Sequence, residues 1–186
     1  MSAVTLLDPQ PGERVLDLCA APGGKTTDLA ASLREVFGDA FVLVSNEVMK
    51  QRAAVLADNA AIWGDPNVIV TSDDPRAFSS LPGFFDIVVA DVPCSGEGMF
   101  RKNEEAKLEW SPENVQNCAK RQDEILDCAA KMLRRGGRLV YSTCTFAPAE
   151  NETAISATPF NILPDTNLRL QTDAGFFKYD IGYLLQ

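Results

Sequence analysis

The first apolar run of the chain, Arg14 to Cys19 (RVLDLC), is short and ends in the turn-forming sequence AAPGG. A helical pattern follows from Lys25 to about Val36, so the opening unit reads as strand, tight loop and helix. Strand-like runs recur at Phe41 to Glu47 and Val68 to Asp74; between them, Lys50 to Trp63 carries Val55, Leu56, Asn59 and Ile62 at helical spacing. Asp86 to Val92 is apolar on both faces, as a central parallel strand is, and runs into the turn PCSGEG. Ser111-Pro112-Glu113 offers an N-cap, a proline at the first helical position and an early acid, which predicts a helix to Arg134 stopped by Gly136-Gly137. Leu139 to Thr145 is the fifth strand, and Phe160 to Leu163 with Gly175 to Leu185 supply a final antiparallel pair. Gly175-Phe176-Phe177 is the best candidate for the last strand. Alternating strands and helices predict an α/β fold: a mostly parallel twisted sheet with helices on both faces.

At 186 residues, the chain is expected to form a single domain over 1–186 with a core that needs neither disulfides nor metal. No repeat or linker divides it, no window holds the roughly 20 apolar residues of a membrane span, and no signal-like segment opens it. A soluble, unprocessed protein is expected. The five cysteines, Cys19, Cys94, Cys118, Cys128 and Cys144, are scattered, odd in number and without a CxxC pair. That pattern suggests neither a disulfide framework nor a zinc site and fits a reducing cytoplasm. The absence of histidine removes the commonest general base and metal ligand, together with every Cys-His or Ser-His nucleophile pair. A net charge of -9 opposes tight unaided binding to a phosphate backbone.

Ligands of an open α/β sheet bind outside the carboxyl ends of its strands. Strand one delivers Cys19, Ala20, Ala21, Pro22, Gly23, Gly24 and Lys25 there, small residues that let backbone approach a ligand at a helix N-terminus. The next three strands end in Glu47, Asp74 and Asp91. Glu47 stands about 20 residues past the glycine turn, the distance at which a carboxylate holds ribose hydroxyls, so a nucleoside-containing cofactor is expected. The bland alternative, that such acids only cap the next helix, weakens with three in register. GGKT and VVAD resemble parts of an NTPase site, yet GxxxxGK[ST] requires glycine where this chain has Cys19, and GxGxxG is absent. Neither nucleotide fingerprint accounts for PCSG and STCT, each a cysteine in a turn directly after a strand.

Together these residues resemble the Fmu/Sun family of RNA (cytosine-5)-methyltransferases. LDLCAAPGGKT resembles its first motif, SNE its ribose-binding motif, VVADVPCSGEG its fourth and LVYSTCTFAPAENE its sixth, over about Leu7 to Glu152. GEGMFRK and WSPE resemble the RsmF-like branch that modifies ribosomal RNA. The resemblance implies a Rossmann-like class I methyltransferase fold with S-adenosylmethionine held by Cys19 to Lys25, Glu47, Asp74 and Asp91. It implies Cys144 as nucleophile, Cys94 as the residue assisting product release, and Asp91 as a group that also faces the cytosine. It also implies RNA, in this branch ribosomal RNA, as partner, while the RNA-gripping segments that flank the family's core are not recognised in this sequence.

The chemistry suits those residue types. Carbon 5 of cytosine is a weak nucleophile until a thiolate adds at carbon 6 and makes the ring enamine-like. A thiol of pKa about 8.5 needs positive surroundings to ionise near neutrality, and Lys25, Arg101 or Lys102 are candidates to provide them. Asp91 against the base edge suits protonation at N3, if its pKa is raised. Arg101-Lys102 and the cluster Lys131, Arg134, Arg135 are candidates for phosphate contact, the second equally for a helix C-terminus. Cys118 and Cys128, on the long helix, read as packing residues. The alternatives are a cofactor-binding fragment that needs a partner for RNA and, beyond it, a P-loop-like nucleotide binder. A DNA cytosine methyltransferase places its nucleophile in a Pro-Cys motif, with no second Thr-Cys site.

Overall fold

A computed structural model describes residues 9–158, 168–169 and 181–185. Its elements are β1 (Arg14–Asp17), α1 (Gly24–Phe37), β2 (Val42–Asn46), α2 (Lys50–Trp63), β3 (Val68–Thr71), β4 (Phe85–Asp91), α3 (Glu104–Glu109), α4 (Pro112–Met132), β5 (Leu133–Thr143), α5 (Glu152–Ser156), β6 (Leu168–Arg169) and β7 (Ile181–Leu185). They build one sheet in the order β3-β2-β1-β4-β5-β7-β6. Neighbours from β3 to β5 pair in parallel, and β7 pairs antiparallel with β5 and β6. Strand order reverses between β1 and β4, which opens a crevice beyond their carboxyl ends. Of the expected final pair, β7 falls within Gly175 to Leu185; Phe160 to Leu163 and Gly175-Phe176-Phe177 lie outside the described residues.

The core follows from the two-residue period of buried strands. Leu16, Val88, Ala90, Leu139 and Tyr141 face one side, where Ile125, Leu126, Ala129 and Met132 of α4 cover them. Val15, Ile87, Val89 and Val140 face the other, against Leu29, Ala30 and Leu33 of α1. Each such aliphatic side chain contributes about 2 kcal/mol by leaving water. Helix α2 keeps its expected bounds, but its apolar stripe differs. Ala53 and Leu56 are buried, whereas Val55 and Ile62 are exposed, Ile62 by 84%.

Helix α4 begins as expected, with Ser111 Oγ accepting from Asn114 N–H at 3.0 Å. It ends at Met132, however, and Leu133 already has extended backbone and pairs with Phe85 of β4. The glycines therefore do not cap the helix. They form a detour inside β5: the β4 register steps from Phe85–Leu133 to Ile87–Arg138, and Gly136 turns with φ 75°. The cause is distant in sequence. Arg138 Nη2 lies 2.7 and 2.6 Å from the carboxylate oxygens of Glu13, and Arg134 pairs with Asp86. These partners sit at the amino-terminal edge of the sheet, away from the crevice beyond the carboxyl ends of the strands.

A Cβ on Gly137 would meet Leu133 Cγ at 2.8 Å and the carbonyl oxygens of Arg134 and Asp86 at 2.9 Å each. Backbone on two sides cannot yield. Gly137→Ala is expected to cost about 2–3 kcal/mol by overpacking, read as a lower urea midpoint at unchanged slope. An unchanged midpoint would show that the detour has room to relax.

Candidate active site

The turn after β1 is held from behind by β2 and α2. Ala20 N–H donates to the Asn46 carbonyl at 2.9 Å, Arg52 donates to the Ala21 carbonyl at 2.8 Å, and Asn59 donates to the Pro22 carbonyl at 2.7 Å. Gly23 adopts φ 111°, a left-handed conformation that disfavours any side chain. Helix α1 then starts at Gly24 with no side chain capping it, so its first amides are open to an anionic group. Beneath the turn, Asp17 is fully buried and accepts from Thr26 Oγ1 at 2.7 Å; its other oxygen has no hydrogen-bond partner among the described residues. Burial pushes Asp17 up to about 7, against the lowering effect of Thr26. Burial, and the acids Asp17, Glu47 and Asp91 around it, likewise push the Cys19 thiol far up, which removes it from nucleophilic chemistry.

Glu47 is buried at the end of β2, where Oε1 accepts from Met49 N–H at 3.0 Å. Its Oε2 lies 3.2 Å from Arg52 Nη1 as an ion pair but lacks hydrogen-bond geometry to any group among the described residues. A buried carboxylate oxygen with spare acceptor capacity suits a ligand hydroxyl. Asp74 stands three residues beyond β3 and caps the 3-10 turn Pro75–Ser80. Bidentate bonds from Arg76 at 2.8 and 2.6 Å, with its N–H at 2.9 Å, lower Asp74 to about 2.

On the far side of β1, Asp91 closes β4. Lys25 Nζ lies 2.6 Å from its Oδ2, and Ser142 Oγ donates to Oδ1 at 2.7 Å. Lys25 and Asp91, read separately from sequence, are thus partners across 66 residues. Cys94 and Cys144 meet with their sulfurs 3.2 Å apart, and Cys144 N–H points at Cys94 Sγ at 3.4 Å. The hydrogen bond with Cys144, then burial, pushes the Cys94 thiol far up. A buried scaffold sets this contact. Glu150 accepts from Ser95 N–H at 3.0 Å and Gln122 Nε2 at 2.8 Å, Gln122 also donates to the Pro93 carbonyl, and Ser95 Oγ meets Thr145 Oγ1 at 2.8 Å.

These groups open onto one cavity of about 590 Å³, lined among others by Cys19, Ala21, Glu47, Asp74, Asp91, Cys94 and Cys144. A family description, 16S rRNA methyltransferase RsmB/F, matches residues 4–173. The chain belongs to the RsmB/F family.

Its relatives include proteins named ribosomal RNA small subunit methyltransferase F. That of Klebsiella pneumoniae (strain 342) is 45% identical over 149 residues, 80% of this chain and 30% of that protein. That of Shigella dysenteriae serotype 1 (strain Sd197) is 39% identical over 187 residues, 94% of this chain and 38% of that protein. The chain therefore spans about a third of the length of these relatives. The crystal structure of NSun6 from Pyrococcus horikoshii with SFG matches at TM-score 0.79 and 26% identity, covering 98% of this chain and 49% of that one. A methyltransferase homolog protein from the same organism matches at TM-score 0.76 and 26% identity, over 99% and 65% of the two chains. The fold is the Rossmann-like class I methyltransferase fold, as the order of strands requires.

For this RsmB/F member, Cys19 and Ala21 of the turn line the cavity, while Ala20, Pro22, Gly23, Gly24 and Lys25 belong to the same turn and helix start beside it, Lys25 reaching the lining residue Asp91. Cys118 is buried as expected, but Cys128 lines the cavity as well as packing on the core. Sequence reading missed Asp17, Arg52, Arg76, Glu150 and Gln122. The two arginines could have been found as cations within two or five residues of a strand-end acid; the buried acids carry no local signal. Among the described residues, no cluster of three His, Cys, Asp or Glu could hold a metal, and no helix is long and apolar enough to cross a membrane.

Proposed function

We propose that this domain transfers a methyl group from S-adenosylmethionine to carbon 5 of a cytosine in ribosomal RNA, in the cytoplasm, through a covalent adduct with Cys144. The observation that carries the reading is the 3.2 Å contact of Cys94 and Cys144 on the wall of a cavity whose other wall holds Glu47 and the β1 turn. The cofactor fits the residues present. The spare oxygen of Glu47 suits its ribose, the uncapped start of α1 suits its carboxylate, and Val48, Met49, Pro75 and Ile125 give apolar walls for its base. When bound, it supplies an electrophilic methyl group on a sulfonium sulfur.

The chain's own groups do the rest. The Cys144 sulfur, as a thiolate, adds to carbon 6 while a proton reaches N3 at the base edge facing Asp91 and Lys25. That bond turns the Cys144 sulfur into a neutral thioether. The hydrogen bond that favoured the Cys94 thiol is then gone, so Cys94 releases its own proton to solvent and, as a thiolate, takes the carbon 5 proton after methylation. Electrons of that C–H bond restore the ring double bond and expel Cys144 as a thiolate, and the N3 proton leaves to give the neutral base.

Calorimetry tests the cofactor half. The chain is expected to bind S-adenosylmethionine or S-adenosylhomocysteine, and Glu47→Gln to weaken binding by about 10- to 100-fold, the worth of one hydrogen bond to a charged group. Heat with ATP and with neither sulfur ligand would favour a P-loop reading. Methyl transfer to ribosomal RNA, mapped by bisulfite sequencing, tests the substrate half; with -9 net charge, activity should fall steeply with salt. Cofactor binding without any transfer, even at low salt with excess RNA, would leave a cofactor-binding fragment that needs a partner.

A further inference from the structure

Glu97 opens a 3-10 turn, Glu97–Met99, that the turnover scheme does not use. Its carboxylate spans two segments. Oε2 accepts from the Phe146 N–H at 2.8 Å and Oε1 from the Trp110 indole N–H at 3.0 Å. The next residue, Gly98, donates its N–H to the Cys144 carbonyl at 2.7 Å. Two consecutive residues of the Cys94 turn thereby hold the Cys144 turn, Gly98 at the Cys144 carbonyl and Glu97 at the Phe146 N–H, while the Cys144 N–H is turned toward Cys94 Sγ. Trp110 stands edge-on to Phe100 at 6.5 Å, so the same carboxylate ties in the segment that carries Arg101 and Lys102.

We propose that Glu97 is a positioning residue that clasps the Cys144 turn onto the Cys94 turn and thereby holds the Cys144 sulfur where it attacks. This rests on Cys144 being the nucleophile. The clasp differs from the Glu150 scaffold in what its loss exposes. Glu150 is wholly buried, so its donors would be stranded without it. Phe146, by contrast, is 51% exposed, so water can take its N–H and the fold loses little. What goes is the fixed direction of the turn, and misplacement by about 1 Å can cost about 100-fold in rate. Both carboxylate oxygens are engaged by donors, so glutamine cannot replace glutamate: its amide nitrogen would face an N–H. Aspartate, one methylene shorter, cannot reach both partners.

The test compares Glu97→Gln, Glu97→Asp and Trp110→Phe with the parent protein, with Cys144→Ala alongside. Glu97→Gln and Glu97→Asp are expected to lower kcat about 10- to 100-fold with the cofactor Kd within about twofold and the melting temperature within about 2 °C. Trp110→Phe, which removes one of the two bonds, should give a smaller drop in kcat. In a Cys94→Ala background, Glu97→Gln should also slow the appearance of the covalent protein–RNA band. Parental kcat in both Glu97 variants, with Cys144→Ala inactive, overturns the clasp and leaves the nucleophile reading intact. Losses of kcat, cofactor affinity and melting temperature in step make Glu97 merely structural and overturn it too. An active Cys144→Ala overturns both readings.

Discussion

Replacing Cys144 with alanine is expected to reduce methyl transfer by about a thousandfold or more, the scale on which enzymes lose their nucleophile, and to abolish any covalent link to RNA. Cys94→Ala should do the opposite to the link. Its Cys144 still adds to the ring and the methyl group still arrives, but nothing close to the reacting carbon collects the proton that must leave, so the adduct accumulates as a slow band on a denaturing gel. The geometry sharpens the expectation, because the hydrogen bond with Cys144 is the foremost cause that keeps the Cys94 proton in place. An adduct from Cys144→Ala and none from Cys94→Ala would exchange the roles. Unchanged turnover in both variants would reduce the pair to packing.

The second large effect concerns stability against pH. Asp17 is raised from 3.8 to about 7 by burial, so between those values the folded chain holds a proton that the unfolded chain has released. Its contribution is therefore fully present below about pH 4 and is lost as pH rises to about 7. At about 1.4 kcal/mol per unit, the total is about 4 kcal/mol, of which about 2 kcal/mol falls between pH 5.5 and 7. Asp17→Asn keeps an oxygen for Thr26 and removes the titration. Urea unfolding of both proteins from pH 5.5 to 8 should show the variant gaining about 2 kcal/mol relative to the parent up to pH 7, then little more. A difference that stays constant with pH would mean that Asp17 is already ionised in the fold.

Much of the site was legible because a parallel sheet brings all its strand ends to one edge, so Glu47, Asp91 and the turns of Cys94 and Cys144 could be assembled from the alternation of strands and helices alone. Asp74 was legible for the same reason, though it lies past its strand and caps a turn instead. What stayed hidden depends on partners far away in sequence. The end of α4 was misplaced because Gly136-Gly137 has the local signature of a cap, whereas Arg138 answers to Glu13 at a separation of 125 residues. Val55 and Ile62 had the right spacing for a buried face, but α2 packs through Ala53 and Leu56 and spends Arg52 and Asn59 on the β1 turn. The Lys25–Asp91 pair and the Glu97 clasp join residues whose types are ordinary and whose meeting only the fold reveals.

The position of β1 between β2 and β4 sets an order on assembly during synthesis. A chain emerging from the ribosome can pair β1 with β2 early, but one flank of β1 stays open until β4 appears more than 60 residues later, and the two sulfurs, 50 residues apart, meet only after β5 has closed the parallel sheet. Non-local pairing of this kind is slow, and it leaves an apolar strand edge uncovered meanwhile. At roughly 5–20 residues per second, that edge is bare for several seconds in every molecule made. A nascent domain of this topology therefore carries an aggregation-prone edge for seconds before its cavity exists.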